Sequence, residues 1–154
     1  MKKSKKKQLV MSMIFRVANL WQQKSAGMAD GMTLRQFMLL ATLRNFPDKK
    51  TNLSALSEKF GGTRQNVRQL VNALAGKGFV CMEQSDKDRR ETMISLTDKA
   101  KTFFDENETA GEDLIQPVFA GVGEKSLDGA LECLETMLAN LEDDSSRGVA
   151  DEDE

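Results

Sequence analysis

The sequence has no histidine and only two cysteines, Cys81 and Cys133, far apart in the chain. Without imidazole, the commonest general base and the commonest metal ligand are both missing. Two distant thiols can build neither a zinc site nor a Cys/His nucleophile pair. No carboxylate spacing argues for carboxylate-only catalysis, so the chain reads as a non-enzyme with no cofactor and no metal. Nothing marks a secreted protein, and the two cysteines read as reduced thiols. Long apolar runs are also lacking: no stretch approaches the roughly 18–20 residues of a spanning helix. The opening MKKSKKKQLVMSMIF contains a short apolar run that continues in helical phase past Arg16 and Asn19, not toward a small-residue cleavage site. The expectation is a cytoplasmic protein without a membrane segment.

What is present is charge, unevenly placed. The 154 residues are 40% hydrophobic, enough for a packed core, and 30% charged with a net charge of only −2. Residues 1–101 carry 20 Lys and Arg against 8 Asp and Glu, a net of +12, whereas residues 102–154 carry 2 against 16, a net of −14. A basic stretch followed by an acidic one suggests that the first part meets a polyanion.

Periodicity divides the chain. Residues 1–7 read as a disordered basic tail. Val10, Met13, Ile14, Val17, Leu20 and Trp21 mark an amphipathic helix ending near Lys24. The glycine-containing SAGMADGM (25–32) reads as a loop. Thr33 is placed to N-cap a helix whose inward face is Leu34, Phe37, Met38 and Ala41, ended by the segment around Pro47. A short helix fits Ser54–Phe60, Gly61-Gly62 makes a turn, and a second helix follows over 63–75 with Thr63 as its cap and Val67, Leu70, Val71 and Leu74 as its buried stripe. Two short helices joined by such a turn are a helix-turn-helix unit. Segments 79–84 and 91–96 read as strands, joined by the charged SDKDRR (85–90), so the hairpin is a wing. A helix from Thr97 keeps Ala100, Phe103, Phe104, Gly111, Leu114, Ile115 and Val118 in phase until Pro117 and the glycines at 121 and 123 break it. The last helix starts near Ser126, with Leu127, Leu131, Leu134, Leu138 and Leu141 spaced 4, 3, 4, 3, a seam for another helix. Residues 143–154 read as a disordered acidic tail.

The fold class is therefore mainly α (α+β): a winged helix-turn-helix lobe at 33–97, with the N-terminal region 8–32 and the C-terminal helices 98–142 forming a dimerisation region. An α-helix fits the major groove of DNA, and Arg reads guanine while Gln and Asn read adenine. The 63–75 helix offers Thr63, Arg64, Gln65, Asn66, Arg68 and Gln69 on its outward face, and no Asp or Glu occurs between 59 and 82. Ordinary solvated faces mix both signs. The wing adds Lys87, Asp88, Arg89 and Arg90. Arginine is favoured in a narrow minor groove, and Asp88 is spaced to brace the Arg90 guanidinium through an ion pair.

DKDRRETMISLTDKAK resembles the wing signature of the MarR family, in which a D-x-R wing is followed by a strand and then L-T and a helix. The matching positions are Asp88, Arg90, Leu96 and Thr97, and Leu74, Gly78, Phe79 and Val80 upstream are also similar. The resemblance implies a homodimer in which the first and last helices interlock. It also implies that two lobes bind a pseudo-palindromic operator on double-stranded DNA, with Arg90 entering the minor groove. In many members a small aromatic effector releases the DNA. It gives no site for such an effector here. The oxidant-sensing members carry a reactive cysteine near the start of the first helix, where this chain has none. Independently of the resemblance, Met13, Ile14, Val17 and Trp21 at one end and Leu127, Leu131, Leu134 and Leu138 at the other exceed what a small lobe covers, and twofold association is the commonest way to bury such a surface. The rival reading is a winged-helix module that binds a partner protein instead of DNA.

Overall fold

In a computed structural model, residues 2–25, 31–107 and 110–147 are described. The chain divides into two compact units, residues 1–114 and 115–154. The first opens with α1 (Lys3–Lys24), followed by α2 (Leu34–Arg44), a short 3-10 turn (Pro47–Lys49), β1 (Lys50–Asn52), α3 (Leu53–Phe60), α4 (Arg64–Gly76), β2 (Val80–Gln84), β3 (Thr92–Leu96) and α5 (Asp98–Glu106). Helix α6 (Ala110–Phe119) spans the division, and α7 (Glu124–Arg147) belongs to the second unit.

The start of each lobe helix is written in its cap. Thr33 forms a full capping box: its side chain accepts from Gln36 N, and the Gln36 side chain accepts from Thr33 N. Asn52, Thr63 and Thr97 likewise cap α3, α4 and α5 by accepting from Ala55 N, Asn66 N and Ala100 N. The two stops matter more for function. Helix α4 ends with Gly78 N donating to Ala75 O and Phe79 N to Leu74 O, with Gly78 at φ 79°, a left-handed position that an L side chain adopts only at a cost. Gly61, at φ 78°, closes α3 in the same way, with Gly62 N reaching back to Ser57 O. That closure sets the angle between α3 and α4.

The strands form one antiparallel sheet in the order β1-β3-β2, with Thr51 and Met82 flanking Ile94. Ile94 and Leu96 point inward, and both are buried. The lobe core is one cluster that unites Leu39, Leu40, Leu43, Leu56, Val67, Val71, Leu74 and Phe79 with Phe103 and Phe104 of α5. Phe103 is its aromatic hub, with ring centroids 5.4 Å from Phe79, 5.8 Å from Phe104 and 6.5 Å from Phe37.

Several expectations need correction. The basic stretch read as a disordered tail is helical from Lys3, because lysine is a good helix former and continues the α1 pattern. At the other end α7 begins at Glu124 and runs to Arg147, so residues 143–147 of the acidic tail are helical; residues 148–154 lie outside the described residues, as do 26–30 of the loop. Pro117 does not break its helix but sits inside α6. The phased pattern from Thr97 is instead interrupted at Asn107, which caps α5 with φ −119° and ψ 40°. Met38 is exposed, and α2 turns Leu39, Leu40 and Leu43 inward beside Leu34 and Phe37. Strand β1 has no apolar alternation to mark it in the sequence: it is three residues long, and pairing with β3 creates it.

Candidate nucleic-acid interface

Every residue proposed for the outward face of the second helix is exposed: Thr63, Arg64, Gln65, Asn66, Arg68 and Gln69. The buried Val67, Val71 and Leu74 hold the opposite face against the core. Thr63 accepts from the Asn66 backbone N–H at 3.3 Å, so its hydroxyl caps the helix. Arg64 is positioned from α3, with Nη2 donating to Ser54 Oγ at 2.6 Å.

The wing loop is folded by its own polar groups. Ser85 Oγ accepts from the backbone N–H groups of Lys87 and Asp88, and Ser85 N donates to Glu91 O at 2.9 Å. Asp88 does brace Arg90, but not through an ion pair with its guanidinium. Its Oδ1 accepts from the Arg90 backbone N–H at 2.9 Å. The carboxylate is two residues away, close enough to close an Asx-type turn, and the turn leaves the guanidinium pointing outward without an ion pair among the described residues. Lys87, Asp88, Arg89 and Arg90 are all exposed.

Arg64, Gln65 and Arg68 of α4 and Arg90 of the wing line one open cleft of about 390 Å³. Its floor includes Asn52, Ser54 and Glu91. Three guanidinium groups and two amides line a single concavity, with Glu91 the only carboxylate among the described residues there, and make a surface for a polyanion. Asn66, Gln69, Lys87 and Arg89 lie outside this cleft. Lys87 instead lines a neighbouring groove with Asp48, Glu83 and Asp86.

Sequence reading missed Ser54, Asn52 and Glu91. Asn52 carries a legible signal, a capping residue immediately before an apolar helical stretch. Nothing in the sequence links Ser54 to Arg64 or Asn52 to Glu91, because the fold alone brings those pairs together.

Most of the residues expected to dimerise stand exposed in the single chain. On α1, Met13 is 55% and Val17 51% accessible, Ile14 is exposed, and Trp21 is half-buried. On α7, Leu131, Leu134 and Leu138 are exposed and Leu127 is half-buried. Exposed apolar residues on α1 also include Met11 and Phe15, beyond the stripe read from spacing. Both cysteines are free and exposed. Among the described residues no acidic or cysteine cluster could hold a metal, and no helix is long and apolar enough to cross a membrane.

This arrangement, a helix-turn-helix closed by a three-stranded sheet with a basic hairpin tip beside the second helix, defines a winged helix-turn-helix protein. Residues 30–91 match the MarR family. It is 33% identical over 87 residues to the HTH-type transcriptional regulator YfiV of Bacillus subtilis, a match that covers 52% of this chain and only 53% of YfiV, about half its length. It is 25% identical over 121 residues to the transcriptional repressor MprA of Escherichia coli, covering 79% of this chain and 69% of MprA. The fold matches that of Sco3205, a MarR family transcriptional regulator from Streptomyces coelicolor solved in complex with DNA. The TM-score is 0.77 at 21% identity, over 87% of this chain and 86% of Sco3205. The matched relatives are regulators of transcription.

Proposed function

We propose that the protein is a homodimeric, sequence-specific DNA-binding repressor of transcription acting in the cytoplasm. The observation that carries this reading is the convergence of Arg64, Arg68 and Arg90, from two separate elements, on one open cleft. In the proposed complex α4 enters the major groove, with Arg64, Gln65, Asn66 and Arg68 toward base edges and Gln69 toward the backbone, while Arg90 reaches the adjacent minor groove. Lys87 and Arg89 flank the wing and face phosphates. The likeness to MprA supports repression.

Dimerisation rests on the exposed apolar faces of α1 and α7, which bury against a second copy. A twofold dimer sets two recognition helices about 34 Å apart, one turn of DNA. A small aromatic effector follows from the family resemblance. Its candidate seat is a second cleft of about 420 Å³ where the Arg44 guanidinium lies 4.6 Å over the Phe104 ring, and where the cations Arg44, Lys49 and Lys101 outnumber the one lining carboxylate, Asp105. That chemistry fits an aromatic carboxylate.

The deciding experiment selects bound sequences from a random duplex pool at several salt concentrations. An inverted repeat with half-sites one turn apart is the expected result, with affinity falling steeply as salt rises. Binding with no enriched sequence would remove sequence specificity from the proposal. No binding would overturn it and favour a protein partner for the same basic face.

A further inference from the structure

At the root of the wing, Asn52 makes two bonds in opposite directions. Its Oδ1 accepts from Ala55 N at 2.8 Å, capping α3, and its Nδ2 donates to the carboxylate of Glu91. These residues lie 39 positions apart in the chain. Glu91 is also the residue on which the wing loop closes. Its N–H donates to Asp88 O and its carbonyl accepts from Ser85 N, both at 2.9 Å. The next residue back is Arg90. The next helical residues after Asn52 include Ser54, which holds Arg64.

We infer that Asn52 and Glu91 form a latch that fixes the pitch of the wing against the helix-turn-helix, so that Arg90 and the α4 arginines present one surface. The inference rests on the DNA-binding reading for its consequence, though not for its geometry. Both are positioning residues: the latch acts through Arg90. It explains why the basic cleft contains a carboxylate at all. A negative charge in a surface meant for a polyanion weakens binding by itself, and here that carboxylate is engaged in holding the wing. Without the tether, the wing loses its side-chain bond to the start of α3, and its tip samples more orientations. Each orientation away from the productive one lowers the apparent affinity by the fraction of competent molecules.

The latch makes a prediction opposite in sign to simple electrostatics. Glu91→Ala removes a negative charge beside the DNA surface, so charge alone would tighten binding. With the latch, affinity for the duplex selected by the wild-type protein falls roughly five- to tenfold, within the range of a single coupling between neighbouring residues. Glu91→Gln keeps an acceptor for Asn52 Nδ2 and restores binding to at least the wild-type level. In an Arg90→Ala background, Glu91→Ala costs nothing further. A readout without DNA separates the latch from the functional reading: the heteronuclear NOE of backbone amides 86–90 drops in Glu91→Ala, stays high in Glu91→Gln, and does not change in α3 and α4. Asn52→Asp, which keeps the helix cap but sets two carboxylates together, lowers the same NOE values. Unchanged wing relaxation in Glu91→Ala and Asn52→Asp would overturn the latch whatever the protein binds. Tighter DNA binding by Glu91→Ala would overturn its role in recognition. Loss of the NOE in a protein that binds no duplex would leave the latch standing and refute the DNA reading.

Discussion

Arg90→Ala separates an effect on binding from an effect on folding. The Arg90 side chain is exposed, and among the described residues its guanidinium takes part in no ion pair or side-chain hydrogen bond; only its backbone N–H is engaged, by Asp88. Truncation to alanine keeps that backbone bond, so stability should change by no more than about 0.5 kcal/mol, the range of surface substitutions. Arg64→Ala would be less clean, because it also breaks the 2.6 Å bond to Ser54. For binding, the loss of one groove-directed arginine is worth about 1–3 kcal/mol, or roughly five- to 150-fold. The slope of log affinity against log salt should flatten by about one unit for each cation removed. Fluorescence anisotropy titrations on the selected duplex at four or five salt concentrations give both numbers, and a thermal melt gives the control. The reasoning is refuted if Arg90→Ala binds with wild-type affinity and slope. It is equally refuted if the melting temperature drops by many degrees, since the side chain would then hold structure that the geometry does not assign to it.

Three further outcomes are expected. Phe103→Ala removes the aromatic hub that meets Phe37, Phe79 and Phe104, and should cost about 3–5 kcal/mol in a denaturant titration; a loss below 1 kcal/mol would mean that these rings do not hold α5 to the lobe. Leu134→Lys places a charge on the exposed apolar face of α7 and should shift sedimentation equilibrium from dimer toward monomer while far-UV circular dichroism is unchanged; an unaltered mass would move the dimer interface elsewhere. Asp98 accepts from Lys101 Nζ at 2.8 Å, and this hydrogen bond, with the attraction of the same ammonium, holds its carboxyl below the ordinary 3.8. Its folded value is depressed, so its contribution to stability is present above the unfolded value and is lost as pH falls through the folded one. An NMR titration should place its midpoint below 3.8, and Lys101→Ala should bring it back up.

The elements of the lobe were legible because each obeys a local rule. Thr33, Thr63 and Thr97 sit where capping chemistry starts a helix, and Val67, Val71 and Leu74 mark a buried stripe at helical spacing. The outward face of α4 was legible for the complementary reason, a run of polar and cationic residues with no carboxylate. What escaped reading depends on partners distant in sequence. Strand β1 exists through its register with Met93, Ile94 and Ser95, and KTN alone has no strand pattern. Which residues of α2 are buried is settled by helices and strands on both sides of it, so Leu39 and Leu40 override the simple one-sided stripe. The expected ion pair of Asp88 with the Arg90 guanidinium is replaced by a bond to the Arg90 backbone, because a two-residue separation favours a turn.

The closure at Gly78 has a mechanical consequence. The end of α4 and the start of α5 are riveted at one spot: Thr97 Oγ1 donates to Gly78 O at 2.7 Å, Thr97 N to Phe79 O at 3.1 Å, and Lys99 Nζ to Lys77 O at 2.9 Å while lying 4.5 Å over the Phe79 ring. Helix α4 is therefore an arm clamped at its far end. Its 13 residues make it about 20 Å long. A tilt of roughly 10° at the clamp would swing Arg64, at the tip, by about 3 Å, more than the tolerance of a hydrogen bond to a base edge. A force that shifts α5 by very little is thus magnified where the sequence of the operator would be read.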